Sequence, residues 1–242
     1  MRTLILDHEA DAVSAAAAIV LAALAEPDGD RDPVVGLPTG RTMVPFYDEL
    51  ARRHTNGAQE LVAVRGFNLD ELLLPAGHPA TFRAYMKHYA WGRTGLDERR
   101  AEIPDSEAEP VAECRRYEAA LAESGGLDLA ILGIGADGHV AYNLPGRSAE
   151  ETHVVEIPEA LARTVDPGGS GPLRAITLGL GALRAAKRIV LLATAAEKAE
   201  AVHRLVDGPP DARWPATLLG DHPRLDVVLS RPAAAGLENF HR

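Results

Sequence analysis

Short apolar runs and helix-patterned stretches take turns along this chain, and that alternation limits its fold more than any other feature. Thr3–Leu6, Pro33–Leu37, Leu61–Asn68, Leu129–Ile134, Ala175–Leu178, Ile189–Thr194 and Leu225–Leu229 read as strands. Ala10–Ala25, Met43–Arg53, Thr81–Trp91, Glu109–Glu123, Gly181–Ala186 and Ala196–Val206 read as helices between them. Glu109–Glu123 places Val111, Cys114, Tyr117 and Leu121 on one side, and Gly125-Gly126 stops it. The turn Glu26-Pro27-Asp28-Gly29-Asp30 ends the first helix. Leu129–Ile134 is apolar without a break, as expected of a strand buried on both faces. Strands alternating with helices predict an α/β protein with a mainly parallel central sheet, a three-layer sandwich. With 242 residues, 46% of them hydrophobic, the chain suffices for one substantial core, so a single domain over 1–242 is expected. Leu161–Pro172, with Gly168-Gly169-Ser170-Gly171, reads as a flexible stretch: either a lid around 144–172 or an ordinary surface loop.

Composition narrows the classes of function. No stretch approaches the roughly 18 apolar residues of a membrane span, and the nearest, Ala10–Ala25, carries Asp11. Met1–Asp7 lacks the long apolar run of a secretory signal. The single cysteine, Cys114, forbids an internal disulfide and points to a reducing, cytoplasmic compartment; it reads as a small buried hydrophobe. A formal charge of −10 repels nucleic acid. Arg52-Arg53-His54, Arg99-Arg100 and Arg115-Arg116 are short basic clusters that read as solvated helix faces. Neither a membrane nor a nucleic-acid partner is expected.

In a parallel α/β sheet, ligands sit beyond the carboxyl ends of the strands, and three strand ends carry unusual chemistry. The first is Gly36-Leu37-Pro38-Thr39-Gly40-Arg41-Thr42, which feeds an amphipathic helix. Free backbone N–H groups, the hydroxyls of Thr39 and Thr42 and the charge of Arg41 suit a phosphate, although the Gly-Lys-Ser/Thr ending of a Walker loop is missing. Thr42 as a plain N-cap is the competing reading. The second is Phe67-Asn68-Leu69-Asp70-Glu71, where adjacent acids are costly to bury unless paired or working. Asp70 is a candidate general base with Glu71 as its neighbour, against a solvated loop start. The third is Gly133-Ile134-Gly135-Ala136-Asp137-Gly138-His139-Val140-Ala141-Tyr142-Asn143-Leu144-Pro145-Gly146. Its glycines match G-x-G-x-x-G, but Pro145-Gly146 leaves no room for the helix a dinucleotide site needs. Asp137, two residues before His139, can orient the imidazole and stabilise its charged form, which makes a proton shuttle. No ligand spacing supports a metal there.

These segments resemble the glucosamine-6-phosphate deaminase (isomerase) family, whose fold is shared with the 6-phosphogluconolactonases. Further markers are His78-Pro79, Tyr85-Met86, Glu113-Cys114-Arg115-Arg116-Tyr117-Glu118, Glu197-Lys198-Ala199 and Pro215-Ala216-Thr217-Leu218-Leu219. The resemblance implies a Rossmann-like fold and isomerisation with deamination of a hexosamine 6-phosphate, without metal or organic cofactor. It implies that Asp70 moves a proton between C2 and C1, that His139, oriented by Asp137, opens the sugar ring, and that Thr39, Gly40, Arg41 and Thr42 hold the phosphate. It adds Lys198 as a phosphate contact, Arg163 as a lid arginine, and Glu71 beside the base. Phe-Asn-Leu-Asp-Glu favours the deaminase branch, since the lactonases more often read Asp-Glu-Arg there. A homo-oligomer is left open.

The chain departs from that pattern once in the reactive segment. Deaminases carry a glutamate directly after the Asn of the third motif, and Leu144 stands here. Three readings follow: Glu71 or Glu150 substitutes; the substrate arrives ring-opened or is another sugar; or the protein is a lactonase, in which His139 activates water. A sugar-phosphate-binding protein without turnover is the non-enzyme alternative. The basic cluster of allosteric members is also absent around Thr152-His153-Val154-Val155-Glu156, so no activation by an N-acetylated sugar phosphate is expected.

Overall fold

The computed structural model describes residues 1–26 and 31–237. The turn expected to end the first helix falls largely at residues 27–30, outside the described residues. The elements are β1 (Arg2–Leu6), α1 (Glu9–Ala25), β2 (Val34–Leu37), α2 (Met43–Thr55), β3 (Arg65–Asn68), β4 (Asp70–Leu72), α3 (Phe82–Tyr89), β5 (Ala101–Glu102), α4 (Pro110–Glu123) and β6 (Leu129–Leu132). They continue with β7 (His153–Ile157), α5 (Glu159–Val165), β8 (Leu173–Thr177), α6 (Leu180–Arg184), β9 (Arg188–Ala193), α7 (Ala199–Asp207) and β10 (Leu225–Ser230).

Seven strands form one parallel sheet in the order β1-β10-β9-β6-β2-β3-β5. Successive residues of its central strands serve opposite faces, as a two-residue period requires. Leu129 and Ile131 join α1, α2 and α3 in one core, while Ala130 and Leu132 join α4, α6 and α7 in the other. The result is the expected three-layer α/β sandwich. From β2 the chain works outward through β3 to β5, and from β6 it works the other way through β9 and β10. The β2–β6 junction is therefore the switch point, where such sheets open a crevice.

Local chemistry explains the helix ends. Glu109 caps α4 by accepting from the Val111 and Ala112 N–H groups, Pro110 occupies the first turn, and Gly125 beyond its end adopts φ +87°. Thr81 caps α3 through the Ala84 N–H, so the Thr81–Trp91 helix shortens to Phe82–Tyr89. Cys114 is buried, as expected.

Three expectations change. Leu61–Val64 is a turn that buries Leu61 and Val64, so the strand begins only at Arg65. Asp70-Glu71 is no loop start: it opens β4, which pairs antiparallel with β8 in a second sheet ordered β4-β8-β7. Of the stretch 144–172 expected to be irregular, a good part is regular, as β7 and α5, and Gly168–Gly171 is only the link to β8. β7, rich in β-branched Val154, Val155 and Ile157, pairs with β8 from His153↔Thr177 to Ile157↔Leu173.

Candidate active site

A cavity of about 830 Å³ opens at the carboxyl ends of β2, β3, β6 and β9. Each of the three strand ends singled out in the sequence supplies part of its lining, and β9 adds a fourth part with Thr194, Glu197 and Lys198.

The turn after β2 forms the first wall. Gly40 takes φ +103°, a left-handed conformation that a side chain would strain. Two tyrosines fix the turn from beneath: the Tyr47 hydroxyl donates to the Pro38 carbonyl at 2.8 Å and the Tyr85 hydroxyl to the Gly40 carbonyl at 2.9 Å. Thr42 is helical in backbone and its hydroxyl makes no cap bond, so the N-cap reading fails and the hydroxyl is available to a ligand. Thr39, Gly40, Arg41 and Thr42 all line the cavity, as does Lys198 across from them. Among the described residues, neither Arg41 nor Lys198 has a carboxylate within 4.0 Å, whereas Arg52, Arg53, Arg99, Arg100 and Arg116 do. Unneutralised cations facing a hollow beside a helix N-terminus suit an anion.

Asp70 lies at the foot of the cavity, 5% exposed, with Oδ1 buried and lacking a hydrogen-bond partner among the described residues. Burial, with the adjacent Glu71 charge second, pushes its carboxyl up to about 8. Glu71 points elsewhere. Its carboxylate accepts the backbone N–H groups of Leu72 at 2.7 Å, Phe82 at 2.7 Å and Arg83 at 2.8 Å, which ties β4 to the N-terminus of α3. Burial holds its carboxyl above the usual range, against the lowering effect of those N–H groups. Glu71 is thus a structural acid and not a cavity residue, which corrects its place among the expected substrate contacts.

The third wall is the loop after β6. Asp137 Oδ1 lies 2.6 Å from His139 Nδ1 and also accepts the His139 N–H at 3.2 Å. Burial alone would raise the Asp137 carboxyl, but the hydrogen bond and charge of His139 outweigh it and the net shift is down. Engagement of Nδ1 leaves Nε2 as the nitrogen without a partner among the described residues, and His139 lines the cavity. Gly135 makes this possible, because a β-carbon there would meet His139 Nδ1 at 2.2 Å. Gly138, at φ +80°, packs against Trp214, and its carbonyl accepts the Ala216 N–H at 2.8 Å. The Trp214–Leu219 segment therefore braces the loop.

Two further expectations are corrected. Arg163 lies on the outer side of α5, exposed and paired with Glu159, while α5 turns Leu161, Thr164 and Val165 to the cavity. Glu150 is exposed and paired with Arg184, so neither it nor Glu71 replaces the missing acid; Leu144 is buried in the core. Sequence reasoning passed over Glu9, whose carboxylate accepts the Thr194 hydroxyl at 2.9 Å, and the aromatic wall of Phe82, Tyr85 and Tyr142. The position of Glu9 just beyond β1 was the available signal for the first.

A family model described as glucosamine-6-phosphate isomerases/6-phosphogluconolactonase matches residues 7–228. The chain belongs to this family. A relative named glucosamine-6-phosphate deaminase from Beutenbergia cavernae is 40% identical over 246 residues, covering 98% of this chain and 93% of its own. One of the same name from Rhodopirellula baltica is 38% identical over 240 residues, covering 96% and 94%. Among solved structures, one described as a monomeric glucosamine-6-phosphate deaminase superposes with a TM-score of 0.88 at 31% identity, covering 98% of this chain and all of that one. A 6-phosphogluconolactonase from Trypanosoma cruzi reaches a TM-score of 0.80 at 18% identity, covering 98% and 97%, and shares the fold.

Proposed function

We propose that this chain isomerises and deaminates a hexosamine 6-phosphate, taking glucosamine 6-phosphate or a close analogue to fructose 6-phosphate and ammonia. The observation that carries the reading is the cavity itself. A buried carboxylate, whose Oδ1 has no partner among the described residues, and an imidazole–carboxylate couple share one hollow, and its wall carries Arg41 and Lys198, which are unpaired among the described residues. The deaminase relatives matched along nearly the whole chain support it.

Each group has a task. Thr39–Thr42, Arg41 and Lys198 anchor the phosphate, and the anchor positions the distant reacting carbons. His139, held by Asp137, moves the proton that opens the ring and frees the C1 carbonyl. Asp70 then takes the proton from C2, and the C–H electron pair becomes the C1–C2 double bond of an enolamine. Returning that proton to C1 gives an imine at C2, where water adds and ammonia leaves. The low-polarity site of Asp70 makes its carboxylate a stronger base than one in water. Leu161, Thr164 and Val165 of α5 close the mouth as a lid. A reducing, cytoplasmic setting suits the buried thiol of Cys114, and among the described residues no helix is long and apolar enough to cross a membrane.

Leu144 favours a second reading, hydrolysis of a phosphosugar lactone, which requires no ring opening. Turnover of amino-sugar phosphates and phosphosugar lactones, followed by ammonia release and lactone loss, separates the two. Ammonia release abolished by Asp70→Asn and by His139→Gln is expected. Lactone hydrolysis that survives Asp70→Asn, with no ammonia from the unaltered chain, would establish the second reading instead.

A further inference from the structure

Leu144 leaves His139 with one carboxylate neighbour, and the cavity wall offers a different proton donor two residues earlier. The Tyr142 ring stacks with Phe82, at 5.9 Å and 12°, and with His139, at 6.3 Å and 24°. It lines the cavity while only 5% exposed.

A purpose-built turn aims it. Asn143 N–H donates to the Val140 carbonyl at 3.0 Å, and the Asn143 carboxamide nitrogen donates to the Val140 carbonyl at 3.2 Å and the Leu178 carbonyl at 2.8 Å. The Thr177 hydroxyl fixes the Tyr142 N–H at 3.0 Å. Ala141 takes φ 50°, the one positive value at a non-glycine position among the described residues. A left-handed alanine is strained and persists where its surroundings impose it, typically at functional sites.

The hydroxyl is unspent. Tyr47, Tyr85 and Tyr117 donate theirs to the carbonyls of Pro38, Gly40 and Asn68, whereas that of Tyr142 has no partner among the described residues. Burial, followed by the charges of Asp70 and then Glu71, pushes this phenol above its ordinary value, so it keeps its proton and has it to donate in a hydrogen bond.

We infer that Tyr142 is a catalytic residue, donating a hydrogen bond to the substrate oxygen on C1 as that oxygen gains negative charge. The inference rests on the reading of Asp70 as the base at C2. When the C2–H bond breaks, its electron pair forms the C1–C2 double bond and the carbonyl pair moves onto the C1 oxygen. The proton goes to Asp70, and Tyr142 keeps its own. A fixed donor at such an oxygen is worth about 10²-fold or more in rate.

The test is Tyr142→Phe in the full chain, which keeps the ring stack and removes only the hydroxyl. Expected are a kcat lower by about 10²-fold, a KM within about threefold, and a parallel loss of deuterium wash-out from C2-labelled substrate. Thermal unfolding at an unchanged midpoint shows that packing is intact. A loss of kcat under about tenfold in a substitution that leaves the midpoint unchanged would overturn the role of Tyr142 alone. An unaltered chain that releases no ammonia and washes out no deuterium would overturn the reading of Asp70 and this inference with it.

Discussion

At Gly135 a β-carbon would meet His139 Nδ1 at 2.2 Å and Asp137 Oδ1 at 2.6 Å. Gly135→Ala must therefore push the couple apart, although it alters no charge. We expect kcat for ammonia release to fall by about 10² or more, because ring opening loses an oriented imidazole. Steady-state kinetics, with circular dichroism to show folding, checks this. Asp70 gives the pH dependence. In the proposed reaction it works as the carboxylate, and its carboxyl is raised to about 8. Thus kcat/KM, which reports the free enzyme, rises with pH through a midpoint near 8. Stability moves the opposite way. The folded chain holds this proton while the unfolded chain releases it near 3.8, so the contribution is fully present below that value and is lost as pH rises through about 8. Denaturation series from pH 5 to 9 should show this decline, and Asp70→Asn should flatten it.

Between elements, the most consequential link is Glu71, one carboxylate accepting three backbone N–H groups from β4 and the start of α3. Hydrogen bonds to a charged acceptor are worth ~1.5–3 kcal/mol each, and losing it leaves buried donors unpaired. Glu71→Ala should destabilise the protein by about 3 kcal/mol or more in denaturant titration, and α3 should become the first helix to exchange its amides. That helix carries Phe82 and Tyr85 into the cavity, so the KM should rise as it loosens. The antiparallel β4-β8-β7 sheet does similar positioning work. Its pair Asp70↔Thr177 sets the base beside the residue whose hydroxyl fixes Tyr142. One strand register thus positions both Asp70 and Tyr142.

For the whole molecule, opposite winding from β2 and β6 opens the crevice. The stretch Thr152-His153-Val154-Val155-Glu156 carries no Arg or Lys. Activation by an N-acetylated sugar phosphate is accordingly not expected, and strong activation in a kinetic assay would contradict this. The acidic balance of the chain, 35 Asp and Glu against 25 Lys and Arg, does not prevent anion binding. Most of the basic side chains are neutralised locally, as at Glu49 with Arg52 and Arg53, and the cavity keeps Arg41 and Lys198 free of carboxylate neighbours among the described residues.

The alternation of apolar runs and helix-patterned stretches determined the layered α/β sandwich, since each run is a local signal that survives without its partners. The Gly-rich turn, Asp70 and the Asp137–His139 pair were legible for the same reason: strand ends are where this architecture collects its ligands. Tertiary structure alone decided the rest. Glu71 is structural only because the start of α3 comes to it. Arg163 faces away from the cavity because α5 turns its apolar side inward, and Tyr142 becomes a candidate donor only where Phe82 and His139 stack with its ring. Each depends on contacts between residues far apart in the chain, which no local pattern encodes.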